Sequence, residues 1–413
     1  MVRLIAEKID ITPNFATNLA GFSNRNTVVS KVNDTIELNV SIIENNGNYY
    51  FIASFDLLFI TSELQLVFIN IFKTLFPTIS QYNTFLCASH THFAPCIDNR
   101  ELLGVKDHRY IKFLEKKIHD IFKNISLKKF EECNIEIEEF SLSDINCNRR
   151  RELKGFFGHL KKIVMEPVTT APVNSILTSI NFVTQDSIAC RLLNFSCHPT
   201  NNPDTNSISS EFVGTFRNTF RGKHNSLPVV FTQGFSGDVR AYPTKRYSIQ
   251  RKIYELINKS FPIKFYKFSQ SEYNKWLKEI EEKLQDQKPK LIRIHPEFVS
   301  CKNNSIEIND LGIECKHASE LNIKSLHMGD LIILFISAEV LSGYEDLFLI
   351  PRKKILFVGY EGNCFGYLPT NYDLGKGGYE ADEFKKYFDV TGKFNSKFEE
   401  IIKKSVWKVL MKY

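Results

Sequence analysis

The sequence predicts an α/β protein of mixed β-sheets flanked by helices, and three observations carry that expectation. Apolar runs of strand length alternate with stretches whose apolar residues recur at helical spacing. Asn45-Asn-Gly-Asn48 lies between two β-rich runs and marks a hairpin. Two other strand-like runs end in histidines followed by loop residues.

Taken in order, Val40 to Ile60 holds the two arms of that hairpin, Ser62 to Phe76 has helical spacing, and Asn83 to Ala88 returns to strand. Tyr110 to Ile125 reads as a helix with Ile111, Leu114, Ile118, Ile121, Phe122 and Ile125 on one face. Ile135 to Leu142 and Ser179 to Phe195 read as strands, and Ser210 to Arg221 as a helix entered from the Asn/Asp/Ser-rich loop 201–209. Pro228 to Thr232 is a short strand ending in Gln233-Gly-Phe-Ser-Gly-Asp238. Residues 269–291 are charged with a helical pattern, which reads as a solvated insertion or lid spanning about 262–295. Ile332 to Ile336 and Ile355 to Val358 are strands, and 397–412 closes the chain as an amphipathic helix. With no repeat and no low-complexity linker, residues 1–413 read as one domain.

The chain has 413 residues, enough for a large core, and its 43% hydrophobic and 24% charged content is that of a globular protein. The net charge of +6 is spread along the chain without a polybasic block, so nucleic acid is not an expected partner. Glu7, Lys8 and Asp10 interrupt the N-terminal apolar residues, and no run has the roughly 18 apolar residues of a spanning helix. A cytoplasmic protein without an integral membrane segment is therefore expected, and nine irregularly spaced cysteines fit reduced thiols. Nothing in the sequence speaks to the oligomeric state.

Chemistry concentrates at Ser89-His90-Thr91-His92, where two histidines two residues apart at a strand end are expected to point the same way. His198, in Phe195-Ser-Cys-His-Pro199, repeats the setting, and Glu339 in Phe335-Ile-Ser-Ala-Glu-Val340 places a carboxylate at the end of an apolar strand. Neutral imidazoles and a carboxylate are zinc ligands, and a buried carboxylate is costly unless paired or bound to a cation.

Ala88-Ser-His-Thr-His92, Asn148-Arg-Arg150, Phe195-Ser-Cys-His-Pro199, Gln233-Gly-Phe-Ser-Gly-Asp-Val239, Ser337-Ala-Glu339 and the block from Gly359 to Glu380 follow one another in this order. Over nearly the whole chain this resembles the catalytic domain of neutral ceramidases, most of all the short bacterial members, through Tyr367-Leu-Pro-Thr370 and Gly377-Gly-Tyr-Glu380. The resemblance implies a ceramidase-like fold and a Zn2+ ion held by His90, His198, Glu339 and Tyr367. It implies His92 beside the metal as a proton-handling group, Arg149 near the reacting carbonyl, Tyr367 also as a catalytic group, and hydrolysis of an amide.

Two departures bear on the substrate. Ceramidases carry a serine after Gly-Asp-Val that meets the sphingoid head group, whereas this chain has Arg240, a fork suited to carboxylate or phosphate. Secreted ceramidases have a signal sequence and a C-terminal immunoglobulin-like domain, and neither is read here. The expectation is a zinc amidohydrolase for a small-molecule or glycan substrate, polar and anionic, such as an N-acylated sugar or amino acid. Arg240, Arg150 and Asp238 are the residues assigned to substrate binding. An amide-forming enzyme, a non-catalytic binding protein on the same fold and a true ceramidase remain as alternatives.

Residues weighed and given lesser roles complete the reading. Ser236 lacks the spacing of a nucleophile elbow. Asp238 also suits a loop-fixing acid, Asp56 either orients a ligand histidine or forms a turn, and Glu211 reads as a helix cap. The other histidines, 108, 119, 159, 224, 295, 317 and 327, are assigned no function.

Overall fold

Asn45 and Asn48 face each other across the turn at Asn46-Gly47, which joins strand Glu37–Asn45 to strand Asn48–Phe55. Both turn residues have positive φ, as a two-residue hairpin requires. Strand Val2–Asp10 pairs antiparallel on one side of this hairpin and strand Thr84–Ala88 parallel on the other. The computed structural model describes every residue except 24, 26, 101–102, 155–159, 186, 243–266, 295 and 412–413. His159, His295 and the first part of the expected insertion, 262–266, thus lie outside the described residues.

Strand Asn48–Phe55 is buried on both faces and serves two cores. Phe51, Ala53 and Phe55 pack against helices Ser62–Phe72 and His108–Ser126, while Tyr50 and Ile52 enter a second cluster on the opposite face. That second cluster is shared by three sheets: the first, a sheet containing Ile188–Phe195 and Val229–Gln233, and a sheet containing Glu320–Met328, Leu331–Ile336 and Lys354–Val358. Near-continuous apolar runs are what strands buried on both faces require.

Several expected elements differ in extent. The helix from Ser62 stops at Phe72, five residues before Pro77, rather than running to Phe76. Ser179 to Phe195 falls in a hairpin of Ile176–Val183 and Ile188–Phe195, closed by Thr184 N–H donating to the Ser187 carbonyl at 2.9 Å. Within 269–291, helix Gln270–Asp286 ends before an edge strand, Lys290–Ile294. The helix buries Tyr273, Trp276, Ile280 and Leu284 against Phe212 and Phe216, and the Trp276 indole donates to the Ile145 carbonyl at 3.0 Å. Its charged face hid an apolar stripe that docks on the protein.

Five strands end together. The residues that follow Ala88, Phe195, Gln233, Ile336 and Val358 are tied by main-chain bonds between neighbouring ends. Ala88 N–H donates to Tyr360 O at 3.1 Å, Gly234 N–H to Phe195 O at 3.0 Å, Gly359 N–H to Gln233 O at 3.0 Å and Tyr360 N–H to Ala338 O at 3.1 Å. Loops leaving the carboxyl ends of strands are where α/β proteins gather ligand-binding groups.

Candidate metal centre

The strand before the His-x-His motif ends at Ala88, and His90 has φ 65°, in the left-handed region. Strand alternation therefore does not align the two imidazoles, contrary to the sequence expectation. A non-glycine residue held there costs on the order of 1–3 kcal/mol, which the surroundings must meet. The rings of Phe59 and Tyr360 flank His90 with centroids 5.0 and 4.2 Å away, and Ser89 N–H is held by the Phe55 carbonyl at 2.9 Å.

Each imidazole is anchored through Nδ1 to a main-chain carbonyl. His90 bonds Leu58 O at 2.9 Å, His92 bonds Gly21 O at 2.9 Å and His198 bonds Ser236 O at 2.8 Å. A carbonyl only accepts, so each Nδ1 carries the proton and each neutral ring presents a bare Nε2 lone pair. Those lone pairs converge: His90 Nε2 lies 3.2 Å from His198 Nε2 and 3.3 Å from His92 Nε2. The Glu339 carboxylate adds Oε2 at 3.4 Å from His90 Nε2 and 3.3 Å from His198 Nε2. A proton can link two acceptors, whereas a metal ion links them all.

The separations fit such an ion. Bonds of about 2.0–2.1 Å in a tetrahedral shell hold ligand atoms about 3.3–3.4 Å apart, which is the edge length found. His90, His198 and Glu339 form a closed triangle. His92 touches it at one corner, with its ring centroid 5.9 Å from that of His198, and the Tyr367 hydroxyl touches it at another, 3.4 Å from His198 Nε2. By grouping alone, His90, His92 and His198 qualify together as metal-binding atoms within 4.8 Å of one another.

Electrostatics keep these groups in ligand form. Burial, then the Arg149 guanidinium, push the His198 imidazole down to about 3. Burial and the neighbouring His90 and His198 hold His92 well below its usual value.

The carboxylate and the phenol are brought together by one short ladder. Strand Glu339–Val340 pairs in parallel with Tyr367–Leu368, placing Glu339 opposite Tyr367, and Glu339 N–H bonds the Gly366 carbonyl at 2.9 Å. Arg149 donates to the Tyr367 hydroxyl at 3.0 Å and to Glu380 at 2.8 Å. Burial would lower its pKa, but Tyr367 and Glu380 hold it charged.

A cleft of about 290 Å³ opens on the centre and is lined by His92, His198, Arg149, Tyr367, Arg240 and Lys267, among others. Arg240 is brought in by strand Val239–Ala241, whose Val239 carbonyl accepts from His198 N–H at 3.0 Å. No acidic residue is among the described residues that line the cleft.

Arg150 and Asp238, assigned to substrate from the sequence, do not line this cleft; both face a neighbouring one. The Arg150 guanidinium is engaged by Glu380, Asp373 and the Gly377 carbonyl. Asp238 accepts from Ser342 N–H at 2.8 Å and from Asn148 Nδ2 at 2.7 Å, which makes it the loop-fixing acid. Asp56 pairs with Arg217 and accepts from Glu37 N–H, and bonds none of the described histidines. Glu211 caps helix Phe212–Arg221, and its carboxylate also accepts from Asn201 and Asn202 N–H, so the cap pins a loop that lines the cleft.

Sequence reading missed Tyr360, whose hydroxyl lies 3.4 Å from Glu339 Oε2, and Glu380, which holds Arg149 and Arg150 together. Tyr360 follows an apolar strand and reads as core. Glu380 sits in Gly377-Gly-Tyr-Glu380, a block noted for resemblance without a role.

Fold and site together describe an α/β protein with a buried imidazole–carboxylate centre at converging strand ends. The fold is that of neutral ceramidase. The chain superposes on the crystal structure of neutral ceramidase from Pseudomonas aeruginosa with a TM-score of 0.70 at 13% identity, covering 98% of this chain and 74% of that one. It superposes on a ceramidase complexed with C2 with a TM-score of 0.69, also at 13% identity, covering 98% and 75%. No family model and no curated protein matches the sequence. At this identity the likeness is one of fold, and activity has to be argued from the site.

Proposed function

We propose that this protein is a zinc-dependent amidohydrolase acting on the N-acyl bond of a polar, anionic small molecule or glycan fragment. The observation that carries the reading is the closed triangle of His90 Nε2, His198 Nε2 and Glu339 Oε2, with His92 Nε2 and the Tyr367 hydroxyl at its corners. The neutral ceramidase fold supports an amide as the bond cleaved.

In this reading His90, His198, Glu339 and Tyr367 hold the ion, which supplies an acidified water and a Lewis acid for the carbonyl. His92, fixed through Nδ1 to the Gly21 carbonyl, accepts and returns a proton at Nε2. Arg149, held charged by Glu380, faces the negative charge that develops on the carbonyl oxygen. Tyr360 steadies Glu339 through its hydroxyl. Arg240 and Lys267, in a cleft whose described lining has no acid, favour an anionic group on the substrate.

A scattered ligand set would have favoured the non-catalytic alternative, and Glu339 and Tyr367 stand 3.3 and 3.4 Å from His198. The deciding experiment is zinc quantification on purified protein followed by a screen of N-acyl amines scored for free amine. Zinc near one ion per chain with amine release from anionic substrates is expected. Arg240→Ser should raise KM for those substrates about tenfold or more while leaving kcat within a few-fold, since a charged contact is lost in ground and transition states alike. Protein without zinc, or an unchanged KM, contradicts the reading.

A further inference from the structure

Arg25 reaches His92 from the same segment that supplies the imidazole's acceptor. Its Nη1 donates to the Ala20 carbonyl at 2.8 Å and to the His92 carbonyl at 3.0 Å. Ala20 is followed by Gly21, whose carbonyl takes the His92 Nδ1 proton. A single side chain therefore joins the stretch carrying the acceptor to the residue whose ring donates to it. The guanidinium also lies over the Phe22 ring, 4.9 Å from its centroid. Phe22 in turn packs against the His92 ring, with centroids 5.2 Å apart, and lines the cleft.

Burial pulls the Arg25 pKa down to about 10, and the carboxylate that opposes this, Asp204, pairs instead with Lys31 at 2.6 Å. Drawing a cation out of water without a carboxylate beside it is unfavourable, and an apolar stem of the same length would fill the space at less cost. What the guanidinium adds over such a stem is a donor for two carbonyls and a charge for the face of Phe22. His92 is the imidazole with most need of that hold. His90 and His198 belong to the closed triangle with Glu339, whereas His92 touches it at one corner. Bonds from Ala20 and Gly21 N–H to the Ala94 and Leu103 carbonyls, at 2.9 and 2.7 Å, tie the segment to the chain beyond His92, and Arg25 ties it to His92 itself.

We infer that Arg25 is a positioning residue for the reaction: it clamps the segment Ala20–Phe22 onto the main chain of His92, and so fixes the direction of the His92 Nε2 lone pair and the Phe22 wall of the cleft. Its catalytic consequence rests on the proposed function. The clamp itself is open to test without substrate.

Nitrogen-15 NMR of the histidine side chains in the purified protein makes that test. The His92 Nδ1–H signal, identified by its loss in His92→Gln, is expected to be protected from solvent exchange in the wild type. In Arg25→Met, which keeps an apolar stem and removes the donor, it is expected to exchange about tenfold faster or more, while the His90 and His198 Nδ1–H signals are unchanged. Arg25→Lys, which keeps a charged donor, is expected to recover part of the protection. On a substrate found by the amine-release screen, Arg25→Met should keep its zinc, keep KM within a few-fold and lose kcat about tenfold or more, as a misplaced group does. The clamp is overturned by an unprotected His92 proton in the wild type, by protection unchanged in Arg25→Met, or by equal loss of protection at all three histidines. An unchanged kcat in Arg25→Met overturns the positioning role. Release of the His92 proton alone in Arg25→Met, in a protein that holds no zinc and frees no amine, upholds the clamp and overturns the proposed function.

Discussion

The tautomer of three side chains is the most consequential fact at the scale of single residues. Main-chain carbonyls of Leu58, Gly21 and Ser236 each take an Nδ1 proton, and three lone pairs are left facing one another. Removing a corner of the triangle and removing its neighbour should therefore differ. His90→Ala is expected to lose both zinc and activity, whereas His92→Gln is expected to retain zinc and lose kcat by about 10²-fold or more, the usual worth of a proton-handling group. Metal analysis beside steady-state kinetics checks both, and zinc lost from His92→Gln assigns that imidazole to the ligands. Gly21 is as exacting: its φ is 101°, and a Cβ there meets His92 Nδ1 at 2.5 Å. Gly21→Ala should lower kcat more than it lowers zinc content, since it displaces the imidazole that touches the triangle at one corner. Strand-end position marked both histidine motifs as a candidate metal site, and the three imidazoles do group closely enough to hold an ion. Tyr360 was not, because a tyrosine after an apolar strand has the same local signature whether its hydroxyl meets a carboxylate or a carbonyl.

Elements are locked to each other by charge as well as by apolar packing. Helix Phe212–Arg221 turns Arg217 and Arg221 toward the first sheet, where Arg221 donates to both oxygens of Glu37 at 2.8 and 2.6 Å and Arg217 pairs with Asp56. Burial would raise the Glu37 carboxyl, but Arg217 and Arg221 outweigh it and hold the group well below its ordinary value of 4.5. A carboxylate depressed in the folded state contributes stability in full above its unfolded value and loses it as pH falls toward the folded one. Urea midpoints should thus fall as pH drops below about 4.5 in the wild type, and fall less in Glu37→Gln, which starts lower because two guanidiniums lose their partner. A pH response equal in both proteins contradicts this. Element identity was read well where periodicity was long, as in helix His108–Ser126, and poorly where it was short. The two-residue ladder of Glu339–Val340 with Tyr367–Leu368 has no periodicity to read, yet it sets the carboxylate beside the phenol.

For the whole molecule, the metal centre and the fold should be thermodynamically linked. The four proposed ligands come from four separate stretches of chain that follow Ala88, Phe195, Ile336 and Val358, a constellation that exists only in the folded chain. On the proposed function, zinc binding adds to unfolding free energy, about 2.7 kcal/mol when free ion exceeds Kd a hundredfold. Chelation should lower the thermal midpoint of the wild type by several degrees and leave His90→Ala unmoved, as scanning calorimetry would show. Among the described residues, no helix is long and apolar enough to cross a membrane.

Composition and periodicity were enough to expect an α/β architecture of mixed sheets, and strand-end position pointed to His90, His92, His198 and Glu339, whereas Tyr367 entered only through the resemblance to neutral ceramidases. Which groups share a cleft was decided by tertiary structure. Arg149 and Arg150 are adjacent in sequence and share the Glu380 carboxylate, yet Arg149 lines the cleft and donates to Tyr367 whereas Arg150 turns to Asp373 and the Gly377 carbonyl. Their partners Glu380, Tyr367 and Asp373 lie more than two hundred residues further along the chain, so no local pattern could say which guanidinium would meet which group.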